Sequence, residues 1–292
     1  MTIWPEDCRV AVLVTVNLDG ERALLGQHPH LADSEKTLST TRYGLRRGVD
    51  AILSVLEQAD VASTWFAPGA LVRSDPAVVQ RVAQHHEIGM RGDDIVPLDV
   101  LTAERRREEL RRAAAAFSEA GIVPRGFRLP GGEWPQRLVD ELVGIGIDWS
   151  SSFVADDLPF TLPGTQGRSL LEIPWHYALE DRQAFEWNFS PPLPAGHSRI
   201  ASYDEVLQNW MWEFDGALAE GGMFVLTLSP HICGTPGRIG LVEELLAHMR
   251  AREGVWFATG SALADRWRAA GSDRGPAHPA AVFLEESSWD SY

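Results

Sequence analysis

Short β-branched runs alternate with helical stretches along most of the chain, and this alternation narrows the fold more than any other feature. Val10–Val16 (VAVLVTV) reads as a buried strand ending in the polar loop Asn17-Leu18-Asp19-Gly20. Further strand candidates lie at 62–67, 126–128, 169–173, 223–228 and 255–258. Helices are expected around 46–58, 76–84, 103–120, 136–144, 203–219, 239–252 and 261–269. Ser74-Asp75-Pro76 offers a cap followed by proline, and Ser202-Tyr203-Asp204-Glu205 has capping-box spacing. The pattern implies parallel strands with helices outside, as a barrel or an open sheet. In both, function gathers at the strand C-termini. That rule singles out Asn17, Asp19, the polar group after Ile88, Arg128, the residues after Ile173, and Ser229 to His231.

The 292 residues fit one domain over 1–270, followed by a Gly/Pro/Ser-rich acidic tail, 271–292, expected to be peripheral or to cover a neighbouring subunit. With 26 Lys+Arg against 41 Asp+Glu, the net charge of −15 repels phosphate backbones and anionic lipid, so neither nucleic acid nor membrane is an expected partner. Lys36 is the single lysine, which argues against Schiff-base chemistry. Two cysteines, Cys8 and Cys233, are too few for a disulfide framework, and the acidic opening lacks export character; a cytoplasmic setting is expected. Two segments interrupt the alternation. Residues 20–45 read as a long polar loop, and 177–200 as a Pro- and aromatic-rich lid in which Phe185, Trp187 and Phe189 would roof an apolar or aromatic substrate.

The segments VAVLVTVNLDGE (10–21), TRYGLRRGV (41–49), HEIG (86–89), RGFRLPGGEW (125–134), ADDLPF (155–160), FVLTLSPHICGTPGR (224–238) and GVWFATGSALADRWR (254–268) occur in this order. Together they resemble the polysaccharide deacetylase-like (NodB-homology) family, particularly its branch of cyclic-imide hydrolases and allantoinase-like proteins. The resemblance spans roughly residues 5–268 and implies an α/β fold, a distorted (β/α) barrel of seven or so parallel strands. It also implies amide or imide C–N hydrolysis at the C-terminal face of that barrel.

In metal-dependent members of such a family one Asp and two His hold a divalent ion, and a second Asp is the general base. This chain departs from that pattern. Asn17-Leu18-Asp19 stands for Asp-x-Asp, so the base position is an amide. In His86-Glu87-Ile88-Gly89-Met90-Arg91-Gly92-Asp93-Asp94-Ile95, Arg91 and Ile95 replace the two metal histidines, and Leu228-Ser229-Pro230 replaces Leu-His-Pro. A guanidinium repels a cation rather than ligating it, so no metal and no other cofactor is expected.

The candidate catalytic residues are therefore Asp19, Arg91, Asp93, Asp94, Arg128 and His231. Arg91 would hold an oxyanion, or else neutralise Asp19 in a salt bridge; Asp93, Asp94 or His231 would activate water. Arg128 matches the family arginine that orients the base, with Asp19 or a substrate carboxylate as partner, or it is a structural ion-pair member. Asn17, Glu21, Glu133, Trp134, Trp175, His176 and Ser229 are candidate substrate contacts. The leading expectation is a metal-independent enzyme acting on a small cyclic or aromatic amide- or imide-like metabolite, with C–N hydrolysis ahead of isomerase, cyclase or lyase chemistry. The alternatives are a non-catalytic ligand-binding protein and a rebuilt metal site using Asp19, Asp93 or Asp94 and His231. The resemblance also suggests a homo-oligomer.

Overall fold

In the strand Val10–Asn17 every residue is buried, so both of its faces are covered. Alternate residues accordingly serve different layers: Val10, Val12, Val14 and Val16 pack outward under the helices, while Ala11 and Leu13 point into the barrel. The computed structural model describes residues 3–5, 7–26, 28–186 and 200–271. Its strands are β1 (Val10–Asn17), β2 (Thr64–Ala67), β3 (Glu87–Met90), β4 (Gly126–Phe127), β5 (Trp149–Ser150), β6 (Phe160–Pro163), β7 (Ser169–Glu172), β8 (Met223–Leu228) and β9 (Val255–Ala258).

The sheet runs β6-β7-β5-β4-β3-β2-β1-β8, with β9 also on β1. Every pairing is parallel except β6 with β7. One edge of β1 is shared: β9 takes Val10–Leu13 and β2 takes Thr15–Asn17. Between β6 and β8 the curled sheet stays open, crossed among the described residues only by the isolated bridge Glu180–Thr227. The curled α/β sheet is the expected distorted barrel, but nine strands, one of them antiparallel, stand where about seven parallel ones were expected. β5 has two residues and β6 ends in proline, and neither produces a periodic run.

All seven expected helices form, within a few residues at each end. Asp75 caps Pro76–Ala83 by accepting from the Val78 N–H at 3.3 Å, whereas Ser202 precedes Tyr203–Glu220 without a side-chain cap. The stretch 20–45 is not a loop. Glu35–Tyr43 is helical and passes through a π turn, Gly44–Gly48, into helix Val49–Gln58. Its apolar signal is weak because only Leu38 and Thr41 of Glu35–Tyr43 are buried. The expected lid is also partly built, by the 3-10 turn Tyr177–Leu179 and helix Asp181–Phe185. Phe185 is buried core against Trp210 and Tyr203, not a roof. Trp187, Phe189 and the tail from 272 lie outside the described residues. No described helix is long and apolar enough to cross a membrane.

A column of side chains fills the barrel. Trp4 and Trp267 close its base, and Trp149 lies above, where a Cβ on Gly126 would come within 2.1 Å of the indole. Phe66 meets Trp149 edge-on at 5.7 Å, and the Arg128 guanidinium stacks 4.3 Å above Phe66. The interior thus turns from apolar at the base to polar at the C-terminal mouth.

Candidate functional site

Arg128 ends the apolar column and uses its whole fork on the barrel. Nε donates to the Ser151 carbonyl at 2.9 Å and Nη2 to Ser151 Oγ at 2.9 Å. Nη1 donates to Thr15 Oγ1 at 2.9 Å, Asn17 Oδ1 at 3.3 Å and Thr227 Oγ1 at 3.4 Å. Burial and the neighbouring Arg91 push its pKa down to about 9, which still leaves it charged at neutral pH. Its partners are neutral groups on β1, β8 and the residue after β5, rather than Asp19.

Arg91 and Asp19 sit one layer higher, at the ends of β3 and β1. Arg91 Nη1 donates to Asn17 Oδ1 at 3.3 Å, so the Asn17 amide oxygen joins two guanidinium groups. Arg91 Nε lies 3.0 Å from Asp19 Oδ1 in an ion pair. The N–H does not point at that oxygen, and both atoms are buried without an aligned hydrogen-bond partner among the described residues. Burial raises the Asp19 pKa above the usual carboxylate value; Arg91, Arg182 and Arg128 pull it down, and Glu180 pushes it up.

A divalent ion does not fit this donor set. Arg91 places a permanent positive charge against Asp19, Ile95 is buried core, and no group of three His, Cys, Asp or Glu with metal-holding geometry occurs among the described residues. The rebuilt site from Asp19, Asp93 or Asp94 and His231 is not assembled either.

Asp93 and Asp94 turn elsewhere. The Asp93 carboxylate is fully buried between Arg73, at 2.6 and 2.9 Å, and Arg112. It braces helices Gly69–Ser74 and Ala103–Glu119 through these two arginines. Asp94 pairs with Arg22 at 3.2 Å and accepts from the Ile95 N–H at 2.9 Å. Glu109 accepts both backbone N–H groups, at 3.1 Å from Asp93 and 2.6 Å from Asp94, fixing the loop in this orientation.

The turn after β8 is tied down from two sides. Ser229 N–H donates to Asp181 Oδ2 at 2.7 Å, and helix residue Gly48 lies so close that a Cβ there would be 1.9 Å from the Pro230 carbonyl oxygen. His231 on this turn is half-buried, with no hydrogen-bond partner among the described residues. Burial, then Arg182 and Arg238, push its pKa down to about 3, so the imidazole is neutral.

The remaining expected contacts scatter. Glu21 pairs with Arg42. Glu133 is exposed, and Trp134 packs in the outer layer, 5.0 Å from Phe153 and 6.5 Å from Phe127. His176 Nδ1 accepts from the Ala178 N–H at 3.1 Å, a capping role. Trp175 and His176 line a cleft of about 590 Å³ at the open seam, together with Trp212, Glu213 and the first residues of β8, away from Asp19.

Four groups were not foreseen. Glu180 and Arg182 act electrostatically on Asp19, and Asp181 holds the Ser229 turn. Glu172 is buried on the outer face of β7, where desolvation lifts its pKa to about 7. The signals available were a charge inside the apolar run SLLEI and the charged triplet Glu180-Asp181-Arg182 within an aromatic-rich segment.

A family profile described as Polysaccharide deacetylase matches residues 34–149. A solved structure from Mycobacterium smegmatis, assigned to the polysaccharide deacetylases, is 31% identical; the match covers 92% of this chain and 93% of that one, with a TM-score of 0.85. A Schizosaccharomyces pombe protein assigned to the same family is 24% identical over 91% of this chain and 92% of its own length. The PuuE allantoinase structure, 22% identical over 91% of this chain and 92% of that one, shares the fold at a TM-score of 0.79.

Proposed function

The chain belongs to the polysaccharide deacetylase family, and from that premise we propose that it is a metal-independent enzyme hydrolysing a C–N bond of a small cyclic or aromatic amide- or imide-like metabolite. The observation that carries this reading is the Arg91–Asp19 pair, 3.0 Å apart at the mouth, with both facing atoms lacking an aligned hydrogen bond. A base and a fixed positive charge stand together where strand ends open.

Asp19 is the base in this scheme. Its basicity is raised by burial, while the His231 imidazole is pushed to about 3, below the ordinary carboxylate range, so the acid is the stronger base of the two. Asp19 takes a proton from water as the water oxygen bonds to the carbonyl carbon. Arg91 faces the negative charge developing on the carbonyl oxygen, at no cost of reorganisation because Asn17 already fixes its fork. Collapse breaks the C–N bond, and the proton on Asp19 passes to the departing nitrogen. Arg128 touches none of the reacting atoms; it positions Asn17 and through it Arg91.

The test is product formation by chelator-treated protein from cyclic imides, hydantoins and aryl amides. Asp19→Asn and Arg91→Gln should each lower turnover by about a hundredfold or more. Full activity in both variants would overturn the assignment. A second reading, a binding protein without turnover, draws on one observation: Asn17, Asp19, Arg91 and Arg128 are each at most 6% exposed. It predicts saturable binding of such compounds with no product.

A further inference from the structure

Helix Asp181–Phe185 and the turn after β8 bring three cationic or potentially cationic groups together beside the mouth. Arg182 is bonded to Glu186 at 2.9, 3.0 and 3.1 Å, so most of its charge is answered locally. Arg238 is different. Its guanidinium is wedged over two rings, 5.0 Å from the Phe185 centroid and 5.9 Å from that of Tyr203, and among the described residues Nη1 reaches only the Ile232 carbonyl, at 3.4 Å. Among the described residues its buried Nε has no hydrogen-bond partner and no carboxylate pairs with it. His231, unpaired, precedes Ile232, whose carbonyl takes the Arg238 bond, and Arg182 shares its short helix with Phe185, the ring that Arg238 covers; the charges acting on the imidazole are those of Arg182 and Arg238, with no acid among them. The nearby acids are engaged otherwise: Glu186 with Arg182, Asp181 with the Ser229 N–H, and Glu180 with Gln183 at 3.1 Å.

In a chain of net charge −15, Arg238, wedged in place with an orphaned donor and no described carboxylate partner beside an unpaired imidazole, is a place prepared for an anion. The frame is rigid, since Gly48 and Asp181 clamp the turn that carries His231. We propose that Arg238, His231 and Arg182 form a seat for the oxyanion group of a small ligand, a carboxylate or a phosphate, at the edge of the barrel mouth. Arg182 acts electrostatically on both Asp19 and His231, which couples the seat to the Arg91–Asp19 pair. Taken with the hydrolase reading, on which this extension rests, the substrate is an anionic amide anchored by its acid group.

Titration calorimetry of the full chain with sodium succinate and with inorganic phosphate tests the seat directly. Saturable binding of at least one anion is expected, weakened about tenfold or more in both Arg238→Gln and Arg182→Gln, with Arg250→Gln as an unaffected surface control. The preferred probe identifies the group as carboxylate or phosphate. Circular dichroism confirms that each variant is folded, and the His231 imidazole signals read by NMR in the wild-type chain provide a second measurement, since a bound anion must raise its pKa. No saturable heat with either probe up to about 20 mM, or equal affinity in the arginine variants, would overturn the proposal. Binding is read without turnover, so the two readings fail separately. Anion affinity without amide cleavage removes the hydrolase and leaves the seat; cleavage of neutral amides without anion affinity does the reverse.

Discussion

Arg91 Nε stands 3.0 Å from Asp19 Oδ1 in the barrel mouth, two buried opposite charges whose facing atoms share proximity but no aligned hydrogen bond. An ion pair of this kind gains attraction in a low dielectric yet pays desolvation on both sides. Its net worth is small, while the cost of breaking it from one side is large.

Arg91→Met should therefore destabilise the chain by about 3–5 kcal/mol, because Asp19 is left charged and unpaired. The Asp19→Leu/Arg91→Met double variant should lose far less than the two single losses added together. Urea unfolding of the four species measures this coupling, and strict additivity would contradict it.

Arg128 should tolerate no substitution, lysine included. Thr15, Asn17 and Ser151 are satisfied by a planar fork over Phe66, and an ammonium group cannot reach all three at once. Both Arg128→Lys and Arg128→Met are expected to cost about 2–4 kcal/mol in chemical denaturation.

Much of this was legible in the residues, because a strand end fixes which side chains reach the mouth. Asn17, Asp19, Arg91 and Arg128 follow from the ends of β1, β3 and β4 together with alternation along each strand. Asp93 was not legible. Two residues past Arg91 the chain leaves the strand, and only the tertiary positions of Arg73 and Arg112 decide that its carboxylate turns into the helices. Arg238 and Asp181 escaped for a related reason: the features that mark them, ring faces and a neighbouring turn, come from distant parts of the chain.

Glu172 gives a pH signature. Its pKa of about 7 in the folded chain exceeds the unfolded carboxylate value, so the native state binds the extra proton and stability falls as pH rises from about 4 to about 7. Asp181, also lifted to about 7 by burial, acts in the same direction. Glu172→Gln keeps the acceptor for the Ser152 and Phe153 N–H groups and removes the ionisation. The variant should gain stability over wild type at pH 8, on the order of 1–2 kcal/mol, and show little gain at pH 5. Thermal unfolding at the two pH values checks the sign.

Gly48→Ala should loosen the Ser229–His231 turn. The new Cβ would lie 1.9 Å from the Pro230 carbonyl oxygen, a backbone contact that only displacement relieves, at a cost of about 1–3 kcal/mol. A shift in the His231 ring resonances accompanying that loss would locate the displacement.

The central claim is that Arg91 occupies the place of a cation. Elemental analysis of untagged protein, purified without metal columns and incubated with Zn²⁺ and Mn²⁺, tests it most directly. The arginine account predicts less than about 0.1 equivalent of either metal in the wild-type chain. Close to ~1 equivalent, removable by chelator and lost in Asp19→Ala, would contradict it and return the mouth to metal-dependent hydrolysis.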